Sequence, residues 1–214
     1  MNFVVIIMAD LFKRFFNRKG EGSEKIVPKN PSRYSPIASL PGGFGIVVVD
    51  MQGDFLKNIE RERRREMVRS QLDVLEVCTE KGYPVVVLEY DGHQKTIRPI
   101  LREASRAQKF ARIIKGHDNG FSGTGLENVL EEFNINCMGV MGVNASSCVR
   151  STAKIGLSKG FRFLTAESLI ADNKNHTGER WNHIRVELGT NWYADHAEAY
   201  FEDYRDLVGL MKTS

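Results

Sequence analysis

The heptapeptide GIVVVDM at 45–51 restricts the fold more than any other stretch: four apolar residues in succession, Ile46, Val47, Val48 and Val49, run directly into Asp50. A strand with one wet face alternates apolar and polar residues, whereas a strand covered on both faces does not. This run therefore predicts a buried strand of a parallel sheet. An acid placed directly after it must meet a polar partner or water.

The same rhythm repeats downstream. A helix is expected over 60–81, with Val68, Leu72 and Leu75 at three- and four-residue spacing, then a strand over 83–90, YPVVVLEY. A helix near 96–108 precedes the short strand ARIIK, which ends at Lys115. Leu126, Val129 and Leu130 mark a helix over 126–133, and CMGVMG at 137–142 reads as a strand. A helix over about 146–158, a strand over 161–165, helix signal at 176–188 and a last short strand at 192–194 complete the pattern. Alternation of this kind predicts an α/β fold of three αβα layers. Its doubly wound, mostly parallel sheet should have about six strands and right-handed crossovers. The 214 residues and 42% apolar content suffice for one such domain over 44–214.

Charge locates the N-terminal extension. Residues 1–43 hold seven Lys/Arg and three acidic residues, a net +4, so the remainder carries −1 of the overall +3. The basic character belongs to the extension, and no nucleic-acid partner is expected for the body. Residues 3–17, with Phe12, Phe15 and Phe16 around Lys13 and Arg14, read as an arm packing on the body or on another copy. Peripheral membrane contact stays open as the less favoured reading. Residues 18–43 read as a connector, given Gly20, Gly22, Pro28, Pro31, Pro36 and Pro41. The apolar run at 3–8 lacks a preceding basic region, unlike a signal peptide. Three cysteines without a CxxC pair suggest a reducing, cytoplasmic setting.

Ligands of open parallel sheets bind outside the carboxyl ends of the strands. Asp50, Lys115 and Cys148 hold such positions at or just past three strands. Cys148 in GVNASSCVRST should open a helix, with Asn144 or Ser146 as cap, where free N–H groups favour thiolate and could hold an oxyanion. Local sequence supports equally a small buried cysteine. Asp50 suits a base for that thiol or a loop anchor, and Lys115 a partner for Asp50 or, on its own sequence, a solvent-facing strand end. Cys78 and Cys137 read as core residues. The charged run ERERRREM at 60–67 reads as a solvated helix face. Gly42, Gly43 and Gly45 precede a strand, and so do not form the phosphate turn that follows one. Asp91 and His93 are weak divalent-metal ligands without a further histidine nearby; no other cofactor is expected.

Three segments carry a resemblance: VVVDMQGDF at 47–55, IIKGHDNGFSGTGLENVLEEFNI at 113–135 and GVMGVNASSCVRSTAKIGLSKGF at 139–161. In order and spacing they resemble the isochorismatase-like, or cysteine hydrolase, family. The resemblance implies a hydrolase domain in which Asp50, Lys115 and Cys148 form the catalytic set. It also implies a cis peptide before Asn144 that aims the Asn144 amide, with that of Cys148, at an oxyanion. Phe55 and Phe121 match positions near a substrate cavity, Phe121 being equally suited to the core, while Gln52 and Thr124 brace the site. Hydrolysis of a small amide-like substrate through a cysteine thioester is the expected activity, with self-association common among such proteins. The alternatives are an isochorismatase-type or other non-amide hydrolase, or a binding protein on the same fold. AESLIADN at 166–173 stands where family members often carry an Asp-Ala pair.

Overall fold

The computed structural model describes residues 37–172 and 199–214. The expected N-terminal arm at 3–17 and the elements expected at 176–188 and 192–194 lie outside these residues. Strand β1, Phe44–Val49, is followed by the short helix α1, Gly53–Leu56, and the long helix α2, Arg61–Lys81. Strand β2, Val85–Tyr90, helix α3, Arg98–Ala104, and strand β3, Phe110–Lys115, come next. Helix α4, Leu126–Glu132, leads to strand β4, Cys137–Val143, a π-helical turn, Ala145–Val149, and helix α5, Arg150–Ser158. Strands β5, Arg162–Ala166, β6, Ile170–Ala171, and β7, Ala199–Phe201, precede helix α6, Tyr204–Thr213.

The strands form one sheet in the order β3-β2-β1-β4-β5-β7, with β6 paired to β4, and every pairing is parallel. Among the described residues the sheet has seven strands, where about six are expected. The extra pairing is two residues long, Gly142 with Ile170 and Val143 with Ala171, too short to leave a periodic trace in sequence.

Unbroken apolar runs feed two cores at once, because successive side chains point to opposite faces. Phe44, Ile46 and Val48 of β1 join Val85 and Val87 of β2 beneath α2, α3 and α6, among Met67, Val74, Leu75, Ile100, Leu207 and Met211. Val47 and Val49 join Val86 and Leu88 beneath α4 and α5, among Leu126, Leu130, Val149 and Ala153. Each fully buried valine or leucine contributes roughly 1.5–3 kcal/mol. Helix α2 starts where the Glu60 carboxylate accepts the Arg63 N–H at 2.9 Å. It stops at Gly82, whose φ of 76° turns the chain left-handed.

Candidate active site

Strands β2 and β3 are added on one side of β1, and β4, β5 and β7 on the other. The crevice between the carboxyl ends of β1 and β4 is therefore the switch point where such folds bind ligands. Close approach of these two ends depends on Gly142, with φ 134°: a Cβ there would lie 2.0 Å from the Val49 carbonyl oxygen. Asp50 follows Val49 with φ 51°, a left-handed conformation that costs a residue with a side chain on the order of 1 kcal/mol. The Val143–Asn144 peptide is cis, as the resemblance implies.

Lys115 is not the solvent-facing strand end that its local sequence suggests. It is buried at the end of β3, with its ammonium Nζ 2.9 Å from Asp50 Oδ2. Nζ also donates to the carbonyls of His117, at 3.1 Å, and Asp118, at 3.4 Å, and lies 4.3 Å from the centre of the Tyr90 ring. Edge strands are commonly wet, but here the loop after β3 folds back over the ammonium and supplies its partners. Burial pushes the Asp50 carboxyl above its usual range, and the Lys115 charge, more than hydrogen bonding, opposes that rise. Neither Asp50 oxygen completes a well-aligned hydrogen bond, so the close contact with Lys115 acts chiefly through charge.

Cys148 lies in the π-helical turn rather than in the first turn of an α-helix, and the Asn144 side chain does not cap it. The cap comes from Asp172, just past β6, which accepts the Ser146 N–H at 2.9 Å and the Ser146 hydroxyl at 3.0 Å. The segment leading to Asp172 is held by α2: Arg63 donates to the carbonyls of Glu167 and Ile170, and Gln71 to that of Leu169. On the other side, Asp118 Oδ2 accepts the Ser147 hydroxyl at 2.7 Å, while Oδ1 stands 3.8 Å from Cys148 Sγ.

The expected lowering of the Cys148 pKa is overturned. Burial first, then the Asp50 charge, push the thiol up to about 12; Lys115 pulls the other way, and Asp118 adds to the rise. At 4% exposure the sulfur lacks the water that would solvate a thiolate, and it faces two carboxylates against one ammonium. The cysteine is therefore protonated in the empty site near neutral pH. Asp50 acts on Cys148 through its charge, and the buried carboxylate beside the thiol leaves an acceptor for the sulfur's proton at the same edge.

Around this centre the sequence-predicted residues divide. Phe55 is half-buried, 4.5 Å between ring centres from His93 and 6.2 Å from Tyr90, and these rings form an aromatic wall beside Lys115. Gln52 donates to the carbonyls of Tyr90, at 2.9 Å, and Gln94, at 2.6 Å, and accepts the Tyr90 N–H at 2.7 Å. Thr124 accepts the Leu126 N–H at the start of α4 and donates to the Gly120 carbonyl. Phe121 packs in the core under α4 and α5, 5.8 Å from Phe161 between ring centres. Asp91 accepts the Gly92 N–H, whereas His93 Nδ1 lies 3.5 Å from Asp54. The weak metal pair is thus divided between different partners, and no group of three His, Cys, Asp or Glu side chains suited to a metal occurs among the described residues. A cavity of about 500 Å³ along α2, lined by Leu56, Val68, Leu72 and Ile97, contains none of Asp50, Lys115 or Cys148.

Asp118, Asp172 and Tyr90 escape sequence reasoning. Asp118 sits in the polar string GHDNG, which reads as an ordinary solvated loop, and Asp172 becomes a cap only because β6 returns to β4. Tyr90 carries a signal in retrospect, since it ends the strand that pairs with β3, in register with Lys115.

Known proteins give the same reading of the architecture. A cysteine hydrolase from Pseudomonas syringae pv. phaseolicola 1448A is similar over 80% of this chain and 93% of its own, with 16% identity and a TM-score of 0.67. N-carbamoylsarcosine amidase from Thermoplasma acidophilum is 22% identical over 75% of this chain and 96% of its own, with a TM-score of 0.58. The nicotinamidase from Staphylococcus aureus is 20% identical over 75% of this chain and 98% of its own, with a TM-score of 0.60. At these identities the likeness establishes the fold. No functionally curated protein matches the sequence. The isochorismatase domain profile, however, matches residues 45–198, most of the chain, and the protein belongs to the isochorismatase family.

Proposed function

We propose that the protein hydrolyses a small amide-like substrate with Cys148 as nucleophile, Asp50 as proton carrier and Lys115 as the fixed cation that orients and balances Asp50. One observation carries this reading: a buried thiol, a buried carboxylate whose charge acts on it, and an ammonium 2.9 Å from that carboxylate share the switch-point edge. A cysteine hydrolase and an N-carbamoylsarcosine amidase among the proteins sharing the fold agree with it.

Because the resting sulfur is protonated, proton transfer to Asp50 accompanies attack rather than preceding it. Sulfur bonds to the carbonyl carbon, and the oxygen takes the electron pair of the C=O bond, facing the Asn144 and Cys148 amides as an oxyanion hole. Collapse breaks the C–N bond, and Asp50 returns its proton to the leaving ammonia or amine. Water attacks the resulting thioester, giving up a proton to Asp50, and the departing sulfur takes it back as the acid leaves. Wild type mixed with a panel of small amides should release ammonia or amine with a burst equal to the enzyme present. Cys148→Ala should lose at least about a thousandfold in turnover while keeping its fold. Undiminished turnover in that variant refutes the assignment.

A further inference from the structure

The hydrolytic cycle leaves one charged group at the sulfur unused. Asp118 is exposed where Asp50, Lys115 and Cys148 are buried, so its carboxylate stands at the mouth of the site. That carboxylate holds the Ser147 hydroxyl at 2.7 Å and reaches to 3.8 Å from Cys148 Sγ, while its own backbone carbonyl accepts from Lys115 Nζ at 3.4 Å. Two further acceptors of the same edge, Asp50 Oδ1 and Asn144 Oδ1, are buried without a hydrogen-bond partner. Orphaned buried acceptors are unfavourable until a donor arrives.

The charges do not balance. With both carboxylates ionised, Lys115 compensates one of them and a single negative charge is left over. Moving the Cys148 proton to Asp50 preserves that total and transfers negative charge to sulfur, where it faces Asp118 at 3.8 Å. Among the described residues no second cation offsets that charge and no donor reaches Asp50 Oδ1 or Asn144 Oδ1, and the substrate is the component that can supply both.

Resting on the amide-hydrolase reading above, we propose that Asp118 sets specificity: the substrate is a small amide with a positively charged nitrogen group near the scissile carbonyl. An ammonium, amidinium or guanidinium held by the Asp118 carboxylate offsets the charge that develops on sulfur, so that binding and nucleophile activation are linked. The high pKa of the thiol in the empty site agrees with this linkage. A neutral or anionic amide leaves the excess charge uncompensated.

The test uses the intact chain and small thiol reagents of equal size, methanethiosulfonates bearing an ammonium or a sulfonate, each transferring its thiol group to Cys148 with release of methanesulfinate. Cys78 and Cys137 are fully buried, and peptide mapping of the adduct confines the measured rates to Cys148. Wild type should react faster with the cation than with the anion. Asp118→Asn should lower that ratio about tenfold, the effect of a unit charge a few ångströms away at a partly wet site. Ser147→Ala, which removes the hydrogen bond and keeps the carboxylate, should preserve the ratio. A wild-type ratio of one or less, an unchanged ratio in Asp118→Asn, or equal falls in both variants overturns the proposal. The last result would reduce Asp118 to a positioning residue. Where amides are turned over, kcat/KM for an ammonium-bearing amide relative to its uncharged isostere should fall with the reagent ratio in Asp118→Asn. Failure to hydrolyse any amide refutes the hydrolase reading alone, because the reagent ratio is measured without turnover.

Discussion

Cys78 beneath α2 and Cys148 at the end of β4 are both sealed from water, at 0% and 4% exposure, and burial raises both thiol pKa values. Their surroundings differ. Cys78 lies in a helix among Val74, Leu75 and Val77, and burial alone drives its shift against a weak backbone hydrogen bond. Cys148 meets Asp50, Asp118 and the field of Lys115. Low exposure therefore does not distinguish the two thiols; the charged groups beside Cys148 do. The surroundings of Cys78 beneath α2 are apolar, whereas the edge of β1 and β4 buries opposite charges against one another.

The largest effect should come from breaking that compensation. Lys115→Met leaves the Asp50 carboxylate buried without its cation and should lower stability near neutral pH by about 3–5 kcal/mol. Asp50 already has a raised pKa, and losing Lys115 raises it further. A folded-state pKa above the unfolded value means that the folded protein binds the proton more tightly, so acidification towards the ordinary carboxylate range should restore part of the loss. Leu75→Ala, a cavity in the apolar layer, should cost roughly 2–5 kcal/mol at either pH. Urea midpoints at pH 7 and pH 5 check both; identical pH responses would erase the distinction between the two regions.

A smaller effect belongs to alkaline solution. The Cys148 thiol stands at about 12 in the folded chain against 9.0 as its ordinary value. Its contribution to stability is whole below pH 9 and is lost as pH rises towards 12, because the unfolded chain releases that proton first. At pH 10.5 the loss should be about 2 kcal/mol. Cys148→Ala should flatten the fall in stability between pH 8 and pH 10.5 by that amount, with Cys78→Ala flattening it in the same direction. A Cys148→Ala profile parallel to wild type would show the sulfur to be better solvated than its burial implies.

How far the sequence foretells this site depends on how local each cause is. The unbroken run at 46–49 requires a strand covered on both faces, and the chain order of strands and helices then brings the ends of β1 and β4 to one crevice. Asp50 and Cys148 follow from that logic. Lys115 follows from it as a strand end, but its burial does not, because that comes from the loop at 116–119 folding over a strand whose other residues are half-buried or exposed. The thiol pKa is equally hidden: a helix start in sequence suggests stabilised thiolate, but desolvation and two carboxylates arrive from β1 and the loop after β3. Asp118 and Asp172 become meaningful only through contacts 29–30 and 26 residues along the chain. Helix α6 is likewise hard to read in the sequence, its short apolar pattern being interrupted by Gly209.

The smallest expected effects compare two capping acids of similar chemistry in the two regions. Glu60 is exposed and accepts the Arg63 N–H at the start of α2. Glu60→Ala should cost about 0.5–1 kcal/mol and leave turnover unchanged, since the apolar face of α2 still fixes that helix. Asp172 is 4% exposed and holds both the N–H and the hydroxyl of Ser146 in the turn that carries Cys148. Asp172→Ala should cost about 1–2 kcal/mol, scarcely more than the Glu60 change. It should nevertheless lower kcat, because a sulfur displaced by a fraction of an ångström loses its alignment with both carbonyl and base. Thermal melts and initial rates on the two variants decide the matter. A kcat loss in Asp172→Ala no greater than in Glu60→Ala would mean that the π-helical turn holds the nucleophile without help from the end of β6.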